Sequence, residues 1–422
     1  MEVPRPFRAI IVSGGMVGLT AAHIFSQAGI NFLILEKHDS PLCRYGAGLA
    51  MWPQTIRVLD QLGLLEALMP NLDFLEETIT SSSDDGRARM AEKTFDWIEQ
   101  NHGHRMGVVA QAAKSRILFN KRVADFEVSD SGVKVVCDGG DTIEGSFLIG
   151  ADEARSRFRL LVESLRTGTR PEDLPHAVVN PYTAVFRLCV GTTAGLPGLP
   201  PKIRYDGSGD GLSTQLMHGK LEPLTSESRK YTEKDKEDFL ARMGHLYVAP
   251  GWTFREVYAK RVAETSFINL EEGLNTRLFF QRVVIVGDAL RKLEPPAGLG
   301  WNCDVSDIVV LANGLRGLLK DGKSPSTQDL ESLFETYQTT RVEEAKKVPV
   351  IASRTTRVIA WLDWKARLNR AKYLLPNISL SKMFVNKFIA PMVSLAPVLE
   401  WLEEKTLPAS GVPWRWHPVK QE

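Results

Sequence analysis

The chain has 422 residues, of which 43% are hydrophobic, enough for a large core and for two or three structural units. The 52 lysines and arginines balance 51 aspartates and glutamates, so no overall field attracts nucleic acid, and small molecules are the expected partners. The four cysteines have neither CxxC nor metal-ligand spacing and no apolar signal core precedes the first strand, so we expect an intracellular protein with reduced thiols and no metal site.

The first predicted unit runs from Arg8 to Glu36 and has the order of a dinucleotide-binding βαβ fold. An apolar strand leads into a glycine-rich turn, a helix with apolar spacing and a second strand that ends in an acid. Gly15 lets the backbone approach a pyrophosphate, Gly18 lets the helix pack on the strand, and the Glu36 carboxylate can accept ribose hydroxyls. Ser13 departs from the pattern, because it stands where the first glycine is expected. An ordinary βαβ turn is the alternative interpretation.

The middle of the chain predicts a second sheet. Pro53 opens a helix, and residues of about 70 to 100 are polar and acidic, which is typical of surface strands and loops. Strand-like runs at residues 184–190, 213–218 and 255–258 indicate a sheet built apart from the nucleotide fold, which we assign to the substrate side.

The dinucleotide-binding pattern returns near residue 281. A buried strand at residues 283–286 is followed by Gly287-Asp288, a loop rich in proline and glycine, and a helix from about Val305. An acid at the end of a strand, beside a glycine loop and a helix N-terminus, is a second place for a polyhydroxyl chain and a phosphate. Two such half-sites imply one long cofactor lying between them.

The sequence therefore predicts three parts. Residues 1–165 and 275–330 form a dinucleotide-binding domain, residues 166–274 a substrate-binding sheet, and residues 331–422 a helical C-terminal segment. The run FVNKFIAPMVSLAPVLEWL in the last part is apolar but interrupted by two prolines, which argues against a membrane span. We expect it either to pack against the body or to make a weak membrane contact, so that the protein is cytoplasmic or peripherally membrane-associated.

Three motifs in this order, the βαβ opening, GADEARSRFR and GDALRKLEPPAGLGWN, resemble the class A flavin monooxygenases, and the apolar tail is similar to the fungal terpenoid and meroterpenoid branch of paxilline-type epoxidases. The resemblance implies an α/β fold of the p-hydroxybenzoate hydroxylase type, in which a Rossmann-like FAD/NAD(P)-binding domain is interleaved with a substrate-binding β-sheet. In that family FAD, NAD(P)H and oxygen together hydroxylate or epoxidise a substrate. The cofactor-binding positions it implies here are Gly15, Gly18, Glu36, Ala50, Asp288 and Trp301.

Several positions depart from the family pattern. Glu153 replaces a glycine beside Asp152, and Ala50 replaces a glycine in the GAGLA loop. Arg291 stands where the family usually has histidine, Leu299 where it has glutamine, and Trp301 where it keeps glycine or alanine so that backbone can touch the flavin ring. An indole is large enough to compete for the space of that ring.

The largest departure is an absence between Val109 and Lys114, where the family inserts a helix that carries a cofactor-binding arginine; Arg105 is a candidate substitute. Together these changes could cost roughly 4 to 8 kcal/mol, which would weaken nanomolar cofactor binding to about micromolar. The sequence therefore predicts an eroded flavin site, with compensation by other contacts as the alternative.

A flavin-free version of this fold would keep an apolar cavity that can fix one conformer of a substrate and donate a hydrogen bond to a carbonyl. We therefore predict a redox-neutral cyclisation of the Diels–Alder type that needs no cofactor. Trp52 and Trp301 are the expected apolar walls, and Arg291 the expected donor, unless it forms a surface ion pair with Glu294. The substrate sheet should contribute Arg187, Gln215 and His218, the last of which has a turn role as its alternative. The functional alternatives are an FAD- and NADPH-dependent monooxygenase and a ligand-binding protein without turnover.

Overall fold

The computed structural model of the chain describes residues 6–39, 49–109, 117–154, 156–179, 181–209, 212–217, 232–262, 265–293, 295, 298–322, 324–348, 378–406 and 408–418.

The strands, in chain order, are β1 (Arg8–Val12), β2 (Asn31–Leu35), β3 (Leu49–Met51), β4 (Asp73–Phe74), β5 (Glu77–Ser82), β6 (Ala88–Glu92), β7 (Gly107–Val109), β8 (Ile117–Leu118), β9 (Val123–Ser129), β10 (Gly132–Cys137), β11 (Thr142–Gly145), β12 (Phe147–Gly150), β13 (Thr183–Val190), β14 (Ile203–Gly209), β15 (Leu212–Met217), β16 (Tyr247–Ala249), β17 (Trp252–Thr253), β18 (Ser266–Leu274), β19 (Phe279–Phe280), β20 (Val283–Ile285) and β21 (Arg291–Lys292).

The α-helices are α1 (Met16–Ala28), α2 (Pro53–Gln61), α3 (Leu65–Leu68), α4 (Thr94–His102), α5 (Arg157–Thr167), α6 (His176–Val179), α7 (Glu233–Met243), α8 (Phe254–Ala259), α9 (Gly300–Leu319), α10 (Thr327–Ala345), α11 (Ile378–Phe384) and α12 (Ala390–Ser394). A π-helical turn (Val385–Ile389) joins α11 to α12, and 3-10 turns form at Met69–Asn71, Pro171–Asp173 and Gly287–Ala289.

The largest sheet has the strand order β19-β20-β12-β1-β2-β8, in which all strands except the edge strand β19 run parallel. Side chains alternate across β1, so Ala9 and Ile11 pack in a core with α1, α9 and α10, whereas Ile10 and Val12 pack on the opposite face with β9, β10 and α5. Burial on both faces explains why the strands are almost wholly apolar. The predicted α/β fold with a Rossmann-like domain is confirmed.

A second sheet, of order β15-β14-β5-β6, interleaves distant parts of the chain. Strands β5 and β6 come from the range assigned by sequence to the nucleotide-binding domain, yet β5 pairs in parallel with β14. One face of this sheet packs Ile79, Tyr205 and Leu216 against Ala249 and Trp252. The opposite face carries the candidate site described below.

Residues 255–258, predicted to be a strand, are instead helical and belong to α8. Thr253 is the N-cap: its hydroxyl accepts from the Glu256 N–H, and the Glu256 carboxylate accepts from the Thr253 N–H. This reciprocal capping box satisfies two N–H groups that a strand would have left for a neighbour, and it outweighs the β propensity of the tyrosine and valine that follow.

The C-terminal part packs on α4. The helical run from α11 through α12 directs Val385, Ile389 and Val393 into a core with Phe95 and Trp97 of α4. No helix in the described ranges is long and apolar enough to cross a membrane.

Candidate functional site

The glycine turn between β1 and α1 donates its amides to groups of the protein itself. The Gly14 N–H donates to Glu36 Oε2 at 2.6 Å, and the Gly15 N–H donates to Ser13 Oγ at 3.3 Å. Ser13 has φ of 91°, in the left-handed region that favours glycine. A Cβ on Gly18 would lie 2.0 Å from the Ser13 carbonyl oxygen, so α1 rests directly on the turn. Gly15, the position predicted to approach a pyrophosphate, therefore already donates its amide to Ser13, and the neighbouring Gly14 amide donates to a carboxylate.

Glu36 is buried and uses both carboxylate oxygens, because Oε1 accepts the N–H of His38 at 2.9 Å. One feature of the turn still suits an anion: α1 has no side-chain cap and no acidic residue in its first turn. The carboxylate that bonds the turn counteracts that dipole, since it brings a negative charge to the place where a phosphate would bind.

The second half-site is also bonded internally. The Asp288 carboxylate forms an ion pair with Lys292. Burial disfavours the charged ammonium, but Asp288 outweighs it and raises the pKa of Lys292 above its ordinary value. The Tyr182 hydroxyl lies 2.8 Å from the Asp288 carbonyl oxygen, and Arg159 donates to the carbonyl oxygens of Ala154 and Ala289. These bonds join the turn that follows β12 to the GD loop, residues 287–289.

The GAD segment, residues 150–152, is also bonded internally. Both carboxylate oxygens of Asp152 cap α5, accepting from the Ser156 hydroxyl at 2.5 Å and from the Phe158 N–H at 3.1 Å. Glu153 is exposed and has φ of 68°, where glycine would be unstrained. Arg105, the candidate substitute for the missing arginine, bonds Asp96 and Glu99 of α4 instead. The predicted absence of the arginine helix falls on residues 110–116, outside the described ranges.

Arg291 belongs to a buried ionic cluster. Its guanidinium donates to both carboxylate oxygens of Asp307, at 3.0 and 2.9 Å, and to Asp304 at 3.1 Å, and Arg341 donates to Asp307 at 2.6 Å. The Arg291 side chain is 1% exposed. The predicted surface position of Arg291, paired with Glu294, is therefore wrong; Glu294 itself lies outside the described ranges. Burial raises the pKa of Asp304 well above its ordinary value, although Arg291 opposes this. The geometry gives Arg291 a structural role in joining β21 to α9.

Trp52 and Trp301 lie in different hydrophobic clusters. The indole of Trp301 packs with Met51 and Ile56 and with the core under the main sheet, so it fills the space between α2 and α9. Trp52 is the N-cap of α2 and packs with Leu299 in the cluster that receives the C-terminal helices. The structure therefore does not bring the two predicted walls together.

One amide joins two of the segments assigned to the cofactor. Asn302 Oδ1 accepts from the Trp52 N–H at 2.9 Å, and Asn302 Nδ2 donates to the carbonyl oxygens of Ala50 and Gly298 at 2.8 and 2.7 Å. Gly298 has φ of 62°, and a Cβ on it would lie 2.7 Å from the Ala50 methyl group. Strand β3 and the loop before α9 are thus in direct contact. A planar ring system would have to separate them.

The second sheet presents a buried polar face beside this contact. Strand register places Arg204 and Asp206 of β14 next to Thr78 and Thr80 of β5 on one side, and next to Met217 and Gln215 of β15 on the other. Arg204 Nη2 donates to Asp206 Oδ2 at 3.0 Å. Four buried atoms of this face have no hydrogen-bond partner in the part of the chain that the structure describes: Thr78 Oγ1, Arg204 Nε, Asp206 Oδ1 and Ser208 Oγ.

Such atoms are costly unless they bind water or a ligand, so their clustering marks this face as a candidate binding surface. Apolar groups border it. Met217 packs with the cluster of Trp52 and Leu299, and the Arg204 guanidinium lies 5.6 Å from the ring centroid of Phe95. We call the surface formed by Arg204, Asp206, Gln215, Met217 and Trp52 the sheet site. It offers a polar anchor next to an apolar wall.

The structure brings some of the predicted residues to the sheet site and places others elsewhere. Gln215 shares a strand face with Met217, which contacts the cluster of Trp52 and Ala50. Arg187 lies on β13 in another sheet, and only its backbone is described; His218 lies outside the described ranges. Arg204 and Asp206 were missed, although the alternation Arg-Tyr-Asp-Gly-Ser of residues 204–208 is the sequence signal for a strand with one polar face.

Two comparisons with known protein sequences indicate the same family. The family model described as "FAD binding domain" matches residues 7–183 and 247–350. The FAD-dependent monooxygenase srdH of Neurospora crassa is 32% identical over 85% of this chain and 88% of its own length.

Two solved structures share the fold. HpxO of Klebsiella pneumoniae, crystallised with FAD and uric acid, has a TM-score of 0.73 at 18% identity and covers 92% of this chain and 96% of its own. The Diels-Alderase PyrE3 has a TM-score of 0.63 at 19% identity and covers 92% of this chain and 80% of its own.

Proposed function

Since the chain belongs to the class A FAD-dependent monooxygenase family, we propose that it is an enzyme of fungal-type secondary metabolism that has kept the fold and lost functional use of FAD. Its reaction is the redox-neutral intramolecular cyclisation of an apolar, polyunsaturated terpenoid, of the Diels–Alder or a related isomerising type. It acts as an intracellular protein on a small molecule.

The observation that carries this proposal is the internal bonding of the glycine turn. Gly14 and Gly15 donate to Glu36 and Ser13, so binding a pyrophosphate there would require breaking both bonds and bringing two negative charges beside a buried carboxylate. The Asp288–Lys292 pair and the contact between Ala50 and Gly298 point the same way. The residues present therefore fit FAD poorly, and no step of the mechanism uses it.

The sheet site supplies what a cyclisation needs. The Arg204 Nε–H is a donor for the carbonyl oxygen of an unsaturated carbonyl group, and Asp206 Oδ1 accepts from a hydroxyl of the substrate. The apolar remainder of the substrate packs on Trp52 and Met217 and is held folded, with diene and alkene in contact. Two carbon–carbon σ bonds form while three π bonds become one. No proton, electron or oxygen atom enters or leaves.

Two effects accelerate such a step. Fixing one folded conformer removes several kcal/mol of the barrier, because orientation is established on binding. A donor on the carbonyl polarises the alkene; since less charge develops than on an oxyanion, we expect loss of this donor to lower kcat/KM by about 10- to 100-fold.

The first test is spectroscopic. The purified protein is titrated with FAD and its visible spectrum is recorded. The proposal expects no flavin band after desalting. A stoichiometric band in the protein as purified would contradict it.

The second test uses a terpenoid-type unsaturated aldehyde that carries a tethered conjugated diene. Incubation under nitrogen without NADPH should give a product of unchanged molecular formula. The Arg204→Gln variant should turn over more slowly, and Arg204→Gln/Asp206→Asn, which removes both charges, controls for the instability of an unpaired buried carboxylate. Saturable binding without turnover would indicate a ligand-binding homologue instead.

The second candidate function is an FAD- and NADPH-dependent monooxygenase or epoxidase. The named relative srdH and the FAD complex of HpxO favour it, as does the uncapped N-terminus of α1. Under this alternative the same incubation would require NADPH and air, and its product would gain one oxygen atom.

A further inference from the structure

The C-terminal helices leave a row of apolar side chains facing solvent. Six of the ten large hydrophobic residues that the described chain leaves exposed lie between residues 378 and 416. Phe384 and Phe388 are 42% and 49% exposed, one helical turn apart, with ring centroids separated by 5.4 Å. Leu395, the C-cap residue of α12, is 38% exposed. We call Met383, Phe384, Phe388, Leu395 and Trp416 the C-terminal apolar face.

The helical run that carries most of this face has charges of one sign. Residues 378–399 contain two lysines, Lys382 and Lys387, and no aspartate or glutamate. Both lysines are exposed, and the Lys387 ammonium lies 5.8 Å from the ring centroid of Phe388. Arg415 lies over the ring of Trp416. Aromatic rings interleaved with cations match an anionic lipid surface, where the rings enter the headgroup layer and the cations bind phosphate and carboxylate groups.

The opposite side of the same helices reaches the sheet site. Val385, Ile389 and Val393 pack in the cluster that contains Trp52, and Met392 borders this cluster together with Met217. One helix thickness, about 10 Å, therefore separates the C-terminal apolar face from the apolar wall of the sheet site.

We propose that the C-terminal apolar face is a membrane-docking surface, which seats in the headgroup region of an anionic bilayer and lies parallel to it. Docking places the sheet site next to the phase in which apolar molecules concentrate. This inference depends on exposure and charge alone, so it holds whichever reaction the sheet site catalyses.

The test is sedimentation of the full chain with vesicles. Vesicles of phosphatidylcholine alone are compared with vesicles that also contain phosphatidylserine, at low and at high salt. We expect binding to the anionic vesicles. Salt should weaken it, because salt screens the attraction between the exposed lysines and the lipid headgroups. Phe384→Ser/Phe388→Ser should lower the partition coefficient at least about ten-fold. Lys382→Gln/Lys387→Gln should lower it by about five-fold per lysine, on anionic vesicles only.

Leu165→Ser is the matched control, because Leu165 is an equally exposed apolar residue on a different helix, and its partition should equal that of the unaltered protein. Thermal unfolding checks that each variant is folded. Equal partition of Phe384→Ser/Phe388→Ser and the unaltered protein, or no binding to either vesicle, overturns the proposal. So does a dimer in lipid-free light scattering that Phe384→Ser/Phe388→Ser converts to monomer, since the face would then be an interface between two copies.

Discussion

Restoring the glycine pattern should restore part of the affinity for FAD. In the variant Ser13→Gly/Glu153→Gly, the hydroxyl that accepts the Gly15 N–H at 3.3 Å is removed, so this amide becomes free for a phosphate oxygen. A released hydrogen bond of this kind contributes about 1 kcal/mol. Removing the exposed carboxylate of Glu153 adds about 1 kcal/mol at partly screened distances. Together they predict affinity about 30-fold higher.

The backbone strain of Ser13, at φ of 91°, is present with and without ligand, so its relief changes the stability of the protein and not the affinity. FAD binding is measured by quenching of flavin fluorescence in the unaltered protein, each single variant and the double variant. Glu172→Gly, which removes another exposed acid elsewhere, is the control. Unchanged affinity in the double variant, or tight binding by the unaltered protein, would refute the reasoning that internal bonds of the turn exclude the cofactor.

Three other changes test the framework of the site. Asp307→Asn should lower the free energy of unfolding by about 3–5 kcal/mol, measured with urea, because two buried arginines lose a shared carboxylate; a loss below about 1 kcal/mol would contradict this. Gly18→Ala should cost at least about 2 kcal/mol, since its Cβ would meet backbone at 2.0 Å, whereas Gly317→Ala in α9, with open space around it, should be neutral or stabilising. Burial lowers the pKa of His102 to about 4 from an ordinary value of 6.5. The stability linked to the neutral ring is therefore fully present above pH 6.5 and is lost as the pH falls towards 4. The total loss should be about 3 kcal/mol. His102→Asn should flatten that part of the stability–pH curve, and an unchanged slope would exclude His102 as its source.

The fold could be predicted because its signals are local. The apolar run of β1 indicates a strand buried on both faces, and the apolar spacing of α1 indicates a helix buried on one face. The acid after β2 marks the end of that strand. None of these signals depends on where the rest of the chain lies. The prediction failed at residues 255–258 because the capping box of Thr253 and Glu256 decided the conformation against propensity.

The candidate site could be predicted only in part. Trp52 and Gln215 lie where the sheet site forms. Arg204 and Asp206 become its polar centre only when β14 pairs with the adjacent β15 and with β5, which lies more than 100 residues earlier in the sequence. For Arg291 the sequence offered two roles, a donor to the substrate or a surface ion pair with the nearby Glu294. Its partners, Asp304 and Asp307, lie a helix turn apart on α9 and reach it only when β21 lies against that helix.

By itself, the amino-acid sequence determined the βαβ opening, the α/β class and the family, because glycine positions and apolar periodicity act over a few residues. The tertiary structure alone decided which donors and acceptors remain available. The Gly14 amide and the Arg291 guanidinium, for example, bond Glu36 and Asp307, which folding brings from other elements of the chain.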